Sequence, residues 1–140
     1  MSGEELLKHH LRWIEQDKLE VSEKLFGHNL IEKTEYEAFM DAYSKFLAHK
    51  MNAVSLHPQD LPLVMISSTV TVEDEEDGER MDFKIISPNA FASLGSLNLA
   101  SYLSPVGKSM LLKKKSERVE VKTPQGVFYY KILHIKYDLH

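Results

Sequence analysis

The chain has 140 residues, 43% of them hydrophobic, and a net charge of −4. That is enough for one ordinary domain or two small ones, and too acidic for a general nucleic-acid coat. With no cysteine it has no disulfide framework and no thiolate chemistry, which fits a reducing cytosol. No apolar run approaches the ~20 residues needed to span a bilayer, and Met1-Ser2-Gly3-Glu4-Glu5 lacks the basic and apolar regions of a signal peptide. The expectation is a cytoplasmic protein without membrane contact.

The charge is unevenly placed. Residues 1–57 hold 7 Lys/Arg against 10 Asp/Glu, residues 73–82 hold 7 acids against 1 base, and residues 105–140 hold 8 bases against 3 acids. The last third can therefore meet an anionic partner although the whole chain is acidic.

From the N-terminus, Ser2 and Glu5 form a capping box. Leu7, Leu11, Ile14, Val21 and Leu25 then mark one helical stripe, with Lys18 on the seam and Gly27 as a C-terminal stop. Tyr36, Met40, Tyr43, Leu47 and Val54 repeat the pattern, with Lys50 on the seam. Spacings that alternate between three and four predict two helices paired along a narrow stripe. The connection is short, so the helices run antiparallel, each ~20 residues and ~30 Å long. His28 to Tyr36 forms the turn and carries Glu32 and Glu35 at its exposed end.

Asn52 to Pro62 reads as a linker. After it the pattern is β: a strand over Val64–Val72, an acidic turn over Glu73–Glu79, and a strand over Met81–Ile86. Ser104-Pro105 starts a short helix running to about Leu112. Strands at Arg118–Lys122 and Val127–Tyr137 flank the turn Pro124-Gln125-Gly126. The fold class is α+β: a helical hairpin over residues 1–57, then an antiparallel-sheet domain with one short helix over residues 58–140.

The sequence offers no catalytic constellation. The serines lack a G-x-S-x-G context, nothing reads as a phosphate loop, and the seven histidines show no metal-site spacing. Trp13 lies off the predicted seam, as a local packing residue or a partner contact. Lys108, Lys113, Lys114, Lys115 and Arg118 form a basic cluster. It reads either as a solvated face or as a docking surface for an acidic protein patch or RNA.

The nine turn residues read H-N-L-I-E-K-T-E-Y. They are similar to the G-D-L-x-E-N-x-E-Y motif of the bacterial GreA/GreB transcript-cleavage factors, a family that includes shorter Rnk-like relatives. Leu30, Glu32, Glu35 and Tyr36 match, while His28, Asn29 and Lys33 depart. A second resemblance follows the family pattern S-P-h-A-x-x-L-h-G, a strand, K-T-P-x-G and a closing strand. It is carried by Ser104-Pro105-Val106-Gly107, Met110-Leu111, Val119 to Gly126 and Ile135-Lys136-Tyr137, with Leu112 where the family usually has Gly.

The resemblance implies an FKBP-like C-terminal domain that binds RNA polymerase and a coiled coil that enters the secondary channel. It also implies a tip (Asn29, Glu32, Glu35) at the active centre. There the family's acids help hold a second Mg²⁺ while the polymerase itself cleaves the transcript. The protein is then a monomeric, non-enzymatic regulator with no cofactor of its own, in transient contact with polymerase-bound Mg²⁺ and transcript RNA. Asn29, at the family's Asp position, brings an amide oxygen but no charge, which predicts weak cleavage stimulation. It also reads simply as a helix cap with Glu32 closing the box, and Thr34 with Glu37 reads as a second box. The alternatives are an Rnk-like binding module acting elsewhere and, on fold analogy alone, an FKBP-type prolyl isomerase.

Overall fold

Tyr36, Met40, Tyr43 and Leu47 recur at the spacing that stacks side chains on one face of a helix, and in the computed structural model all four are buried. The structure describes residues 3–50, 63–90 and 98–137. Ser2, the side chain of Lys50, Val54 and the linker over residues 52–62 lie outside the described residues. The chain divides into two compact units, one holding the two long helices and the other the remaining elements.

In the helical unit, α1 (Gly3–Phe26) and α2 (Leu30–Lys50) are joined by a three-residue turn. On α1 the buried stripe is Leu6, His10, Ile14, Asp17, Val21 and Ser22. It keeps Ile14 and Val21 of the predicted stripe, while Leu6, His10 and Asp17 lie one position before Leu7, Leu11 and Lys18. Leu7, Leu11 and Lys18 are only partly buried, and Leu25 is 52% exposed. The reason is that polar groups hold seam positions and are bonded there. His10 Nε2 lies 2.8 Å from the Tyr43 hydroxyl, and Ser22 Oγ donates to Glu37 Oε2 at 2.8 Å. Buried polar groups are tolerated when their hydrogen bonds are made. Lys18 lies beside the seam and reaches Asp41 at 2.9 Å as well as Glu15. Those hydrogen-bonded carboxylates raise the Lys18 pKa above its ordinary value. Trp13 is partly buried and stacks on His10.

The second unit is a five-stranded sheet in the order β3-β2-β1-β5-β4. Its strands are β1 (Ser68–Asp74), β2 (Arg80–Ile86), β3 (Asn98–Ser101), β4 (Arg118–Thr123) and β5 (Gly126–Tyr137). Val70, Val72, Ile85, Val119, Val121, Ile132, Ile135 and Tyr137 are buried with Tyr102 and Met110. Their alternation with polar residues gives each strand one inner and one outer face. The register of β1 on β5 shifts between Thr71 and Val72, which face His134 and Ile132, so Leu133 is the extra residue of a bulge.

The structure differs from the sequence reading at two strands. Val64 to Ser67 is a buried connection rather than the start of a strand. Val64 N–H donates to the Lys113 carbonyl, Leu112 N–H donates to the Val64 carbonyl, and Ser67 (φ 79) and Ser68 turn the chain into β1. A run of buried apolar residues has no period that separates strand from loop. β3 was not expected, and it pairs with β2 in parallel, so the sheet is mixed rather than wholly antiparallel.

The short helix α3 (Pro105–Met110) forms as its first residues dictate. The Ser104 hydroxyl accepts from Gly107 N–H at 3.1 Å and donates to the Ser101 carbonyl at 2.7 Å. α3 ends at Met110, two residues before the predicted end, and Leu112 takes φ 66.

Candidate functional site

The hairpin tip is built by a stop and a start three residues apart. Gly27 fits because a Cβ there would lie 2.5 Å from the Glu23 carbonyl oxygen. Asn29 N–H donates to the Phe26 carbonyl at 3.1 Å. Its side-chain Oδ1 accepts from Glu32 N–H at 3.0 Å, and its carbonyl accepts from Lys33 N–H at 2.9 Å. Asn29 is therefore the N-cap of α2. The cap is not a reciprocal box, since the Asn29 N–H goes to Phe26. Thr34 is not a second cap either: its hydroxyl donates to the Leu30 carbonyl inside the helix.

Glu32 and Glu35 are both exposed and stand three residues apart on α2, close enough to share a face. Tyr36 is buried and stacks on Phe26 with centroids 5.1 Å apart, which fixes the end of α1 against the start of α2. Asn29 and Glu32 meet at the tip through the capping bond, and Glu35 stands exposed one turn further along α2.

Two features of the tip were not legible in the sequence. Lys33 Nζ reaches across to Glu23 Oε1 at 2.9 Å. The hydrogen-bonded ion pair raises the Lys33 pKa and lowers that of Glu23. Leu30 and Ile31, at the first turn of α2, are 77% and 73% exposed, the highest values among the large hydrophobic residues described.

The basic cluster divides. Lys108, Lys114 and Lys115 are exposed and Lys113 is partly so, 4.0 Å from Glu117. Glu117 also accepts from Lys114 N–H, and Leu63 bridges to Lys114. The lysine run thus sits on a fixed loop bounded by Leu112 (φ 66) and Ser116 (φ 73). Arg118 is engaged elsewhere. Its Nε lies 2.7 Å from Glu75 Oε2 and its guanidinium stacks over Tyr129 at 4.1 Å. Glu73, Glu75, Ser116, Arg118 and Lys131 line a shallow depression there.

Among the described residues no group of three or more His, Asp or Glu side chains is placed to hold a metal ion. No described helix is long and apolar enough to cross a membrane.

Comparison with known proteins adds the family. A model described as "Transcription elongation factor, GreA/GreB, C-term" matches residues 59–137. The chain is 30% identical to the transcription elongation factor GreA of Clostridium kluyveri, over 96% of this chain and 92% of that protein. It is 29% identical to GreA of Nitratidesulfovibrio vulgaris over 74% of this chain, a match that spans only 64% of that relative's length. Among solved structures, a GreA/GreB elongation factor from Nitrosomonas europaea superposes with a TM-score of 0.51 at 24% identity, over 70% of this chain and 79% of that one. That last likeness bears on the fold alone.

Proposed function

The chain belongs to the GreA/GreB family of transcription elongation factors, and from that membership we propose that it is a cytoplasmic regulator of RNA polymerase with little ability to stimulate transcript cleavage. In this reading the sheet unit docks on the polymerase, with Lys108, Lys113, Lys114 and Lys115 contributing positive charge toward an acidic patch or the transcript. The helical hairpin enters the secondary channel and brings Asn29, Glu32 and Glu35 to the active centre. The polymerase performs the chemistry, and the chain acts by occupying or adjusting the site.

The observation that carries the reading is the Asn29 side chain. Its oxygen is uncharged and already accepts from Glu32 N–H at 3.0 Å. A hard divalent cation takes oxygen ligands and gains most from anionic ones, and the Asn29 amide oxygen brings no charge and has one of its two lone pairs engaged in the helix cap. Glu32 and Glu35 remain as the exposed acids of the tip.

The test is cleavage of a backtracked elongation complex with the wild-type chain, with a GreA protein as the positive control. The wild type is expected to bind the polymerase and to give cleavage at least about tenfold slower than GreA, ~1.4 kcal/mol in barrier. Cleavage matching GreA would overturn the cleavage-poor reading. Absence of polymerase binding would overturn the proposal as a whole.

A further inference from the structure

Beyond the neutral Asn29, the tip carries a fixed cation. Lys33 follows Asn29 by four residues, one turn into α2, and its ammonium is held at 2.9 Å by Glu23 on the last turns of α1. Two consequences follow from simple charge chemistry. Glu23, the acid that α1 contributes near the tip, is neutralised by Lys33 and is not available as an anionic ligand. A carboxylate introduced at position 29, the N-cap, would stand four residues before the Lys33 ammonium, whose positive charge near the tip opposes a second cation. It would also inherit the capping bond to Glu32 N–H.

The residues present at the tip therefore do not fit a divalent cation, and the misfit is larger than one missing charge. We infer that Lys33 is a second determinant, beside the missing charge at position 29, that disfavours a divalent cation at the tip, so that a carboxylate at position 29 recruits the cation more tightly when the charge at position 33 is also removed. The inference deepens the proposed function and rests on its reading of the tip, but its first test requires no polymerase.

That test follows Mn²⁺-induced broadening of the backbone amide signals of residues 30–35 in the full chain. Four proteins are compared: wild type, N29D, N29D/K33Q and N29D/K33R. The double variant N29D/K33Q is expected to broaden at about tenfold lower Mn²⁺ than N29D, while N29D/K33R stays with N29D because its charge is kept. Equal broadening of N29D and N29D/K33Q would overturn the inference. Broadening of N29D/K33R at the level of N29D/K33Q would do the same, since charge would not be the cause. Position 33 is on a well-formed helix and both replacements favour helix, and a circular dichroism spectrum confirms folding before the comparison.

The second arm measures transcript cleavage and polymerase binding for the same proteins. Cleavage is expected to follow the Mn²⁺ order, with polymerase binding equal across the set. If none binds the polymerase, the proposed function falls while the Mn²⁺ comparison still decides the role of Lys33. If all bind but cleavage rises fully in N29D alone, the Lys33 inference falls and the function stands.

Discussion

Replacing Gly107 with alanine probes how closely α3 is seated on the chain before it. A Cβ built on Gly107 would lie 2.1 Å from the Ser101 carbonyl oxygen, 2.8 Å from its carbon and 3.2 Å from Tyr102 Cα. Carbon and carbonyl oxygen rest comfortably at about 3.3 Å or more, so roughly 1 Å of backbone movement has to be found. The carbonyl is not free to give way, because it accepts from the Ser104 N–H at 2.9 Å and the Ser104 hydroxyl at 2.7 Å. Gly107 is buried, and Met110 one turn on is fully buried, so α3 cannot simply lift. Overpacking of this kind costs about 1–3 kcal/mol, and the better helix propensity of alanine returns up to ~1 kcal/mol. A net loss of about 1–2 kcal/mol is expected. With a urea slope of ~2 kcal/mol per molar, the unfolding midpoint of the sheet unit should fall by about 0.5–1 M. A midpoint equal to or above that of the wild type would refute the argument. The family pattern has alanine at this place, where this chain has Gly107.

Tyr43→Phe removes the hydroxyl paired with the buried His10 ring and should cost the hairpin about 1–2 kcal/mol, read as faster hydrogen exchange of α1 amides. Leu112→Gly relieves a left-handed backbone at a branched residue and should stabilise the sheet unit by up to about 1 kcal/mol. A clear loss in urea unfolding would show that the leucine packing outweighs the strain. Burial, with the nearby carboxylates of Asp74 and Asp77, raises the Tyr130 pKa above its ordinary value of 10.0. A raised folded-state pKa means that this contribution is complete below pH 10 and is lost as pH rises through the folded value. Wild type should therefore lose more stability than Tyr130→Phe above pH 10, and parallel curves for the two would contradict it.

What could be read from sequence depended on whether a side chain's partner was local. The α2 stripe was legible because Tyr36, Met40, Tyr43 and Leu47 are all apolar or aromatic at helical spacing. The α1 stripe was legible at Ile14 and Val21 but misplaced around them because polar residues occupy buried positions, His10 and Ser22 being bonded across the hairpin, which no single-helix pattern reveals. Ser104-Pro105 announced α3 because its cap uses the next three residues. β3 escaped because four residues are too few to show an alternation. At the tip, Asn29 and Glu32 were visible as a local motif. The Lys33–Glu23 pair was not, since its partners meet only through the stagger of the two helices. Arg118 was grouped with the lysines by proximity in sequence, whereas Glu75 and Tyr129 hold it on the outer face of the sheet.

The paired polar rungs of the hairpin, His10 with Tyr43, Ser22 with Glu37 and Glu23 with Lys33, bear on how its length can change. Each rung matches one residue of α1 to one of α2, like the teeth of a rack. Sliding either helix by one or two residues would set buried hydroxyl and ring nitrogen against apolar neighbours, so intermediate positions are closed. Insertions or deletions of seven residues in each helix, by contrast, return every tooth to a matching gap. Each such step moves the tip by ~10.5 Å along the rod at ~1.5 Å per residue. The reach of the hairpin is therefore changed with least disturbance in whole notches of seven residues in both helices, shorter insertions requiring the helices to unwind or overwind locally.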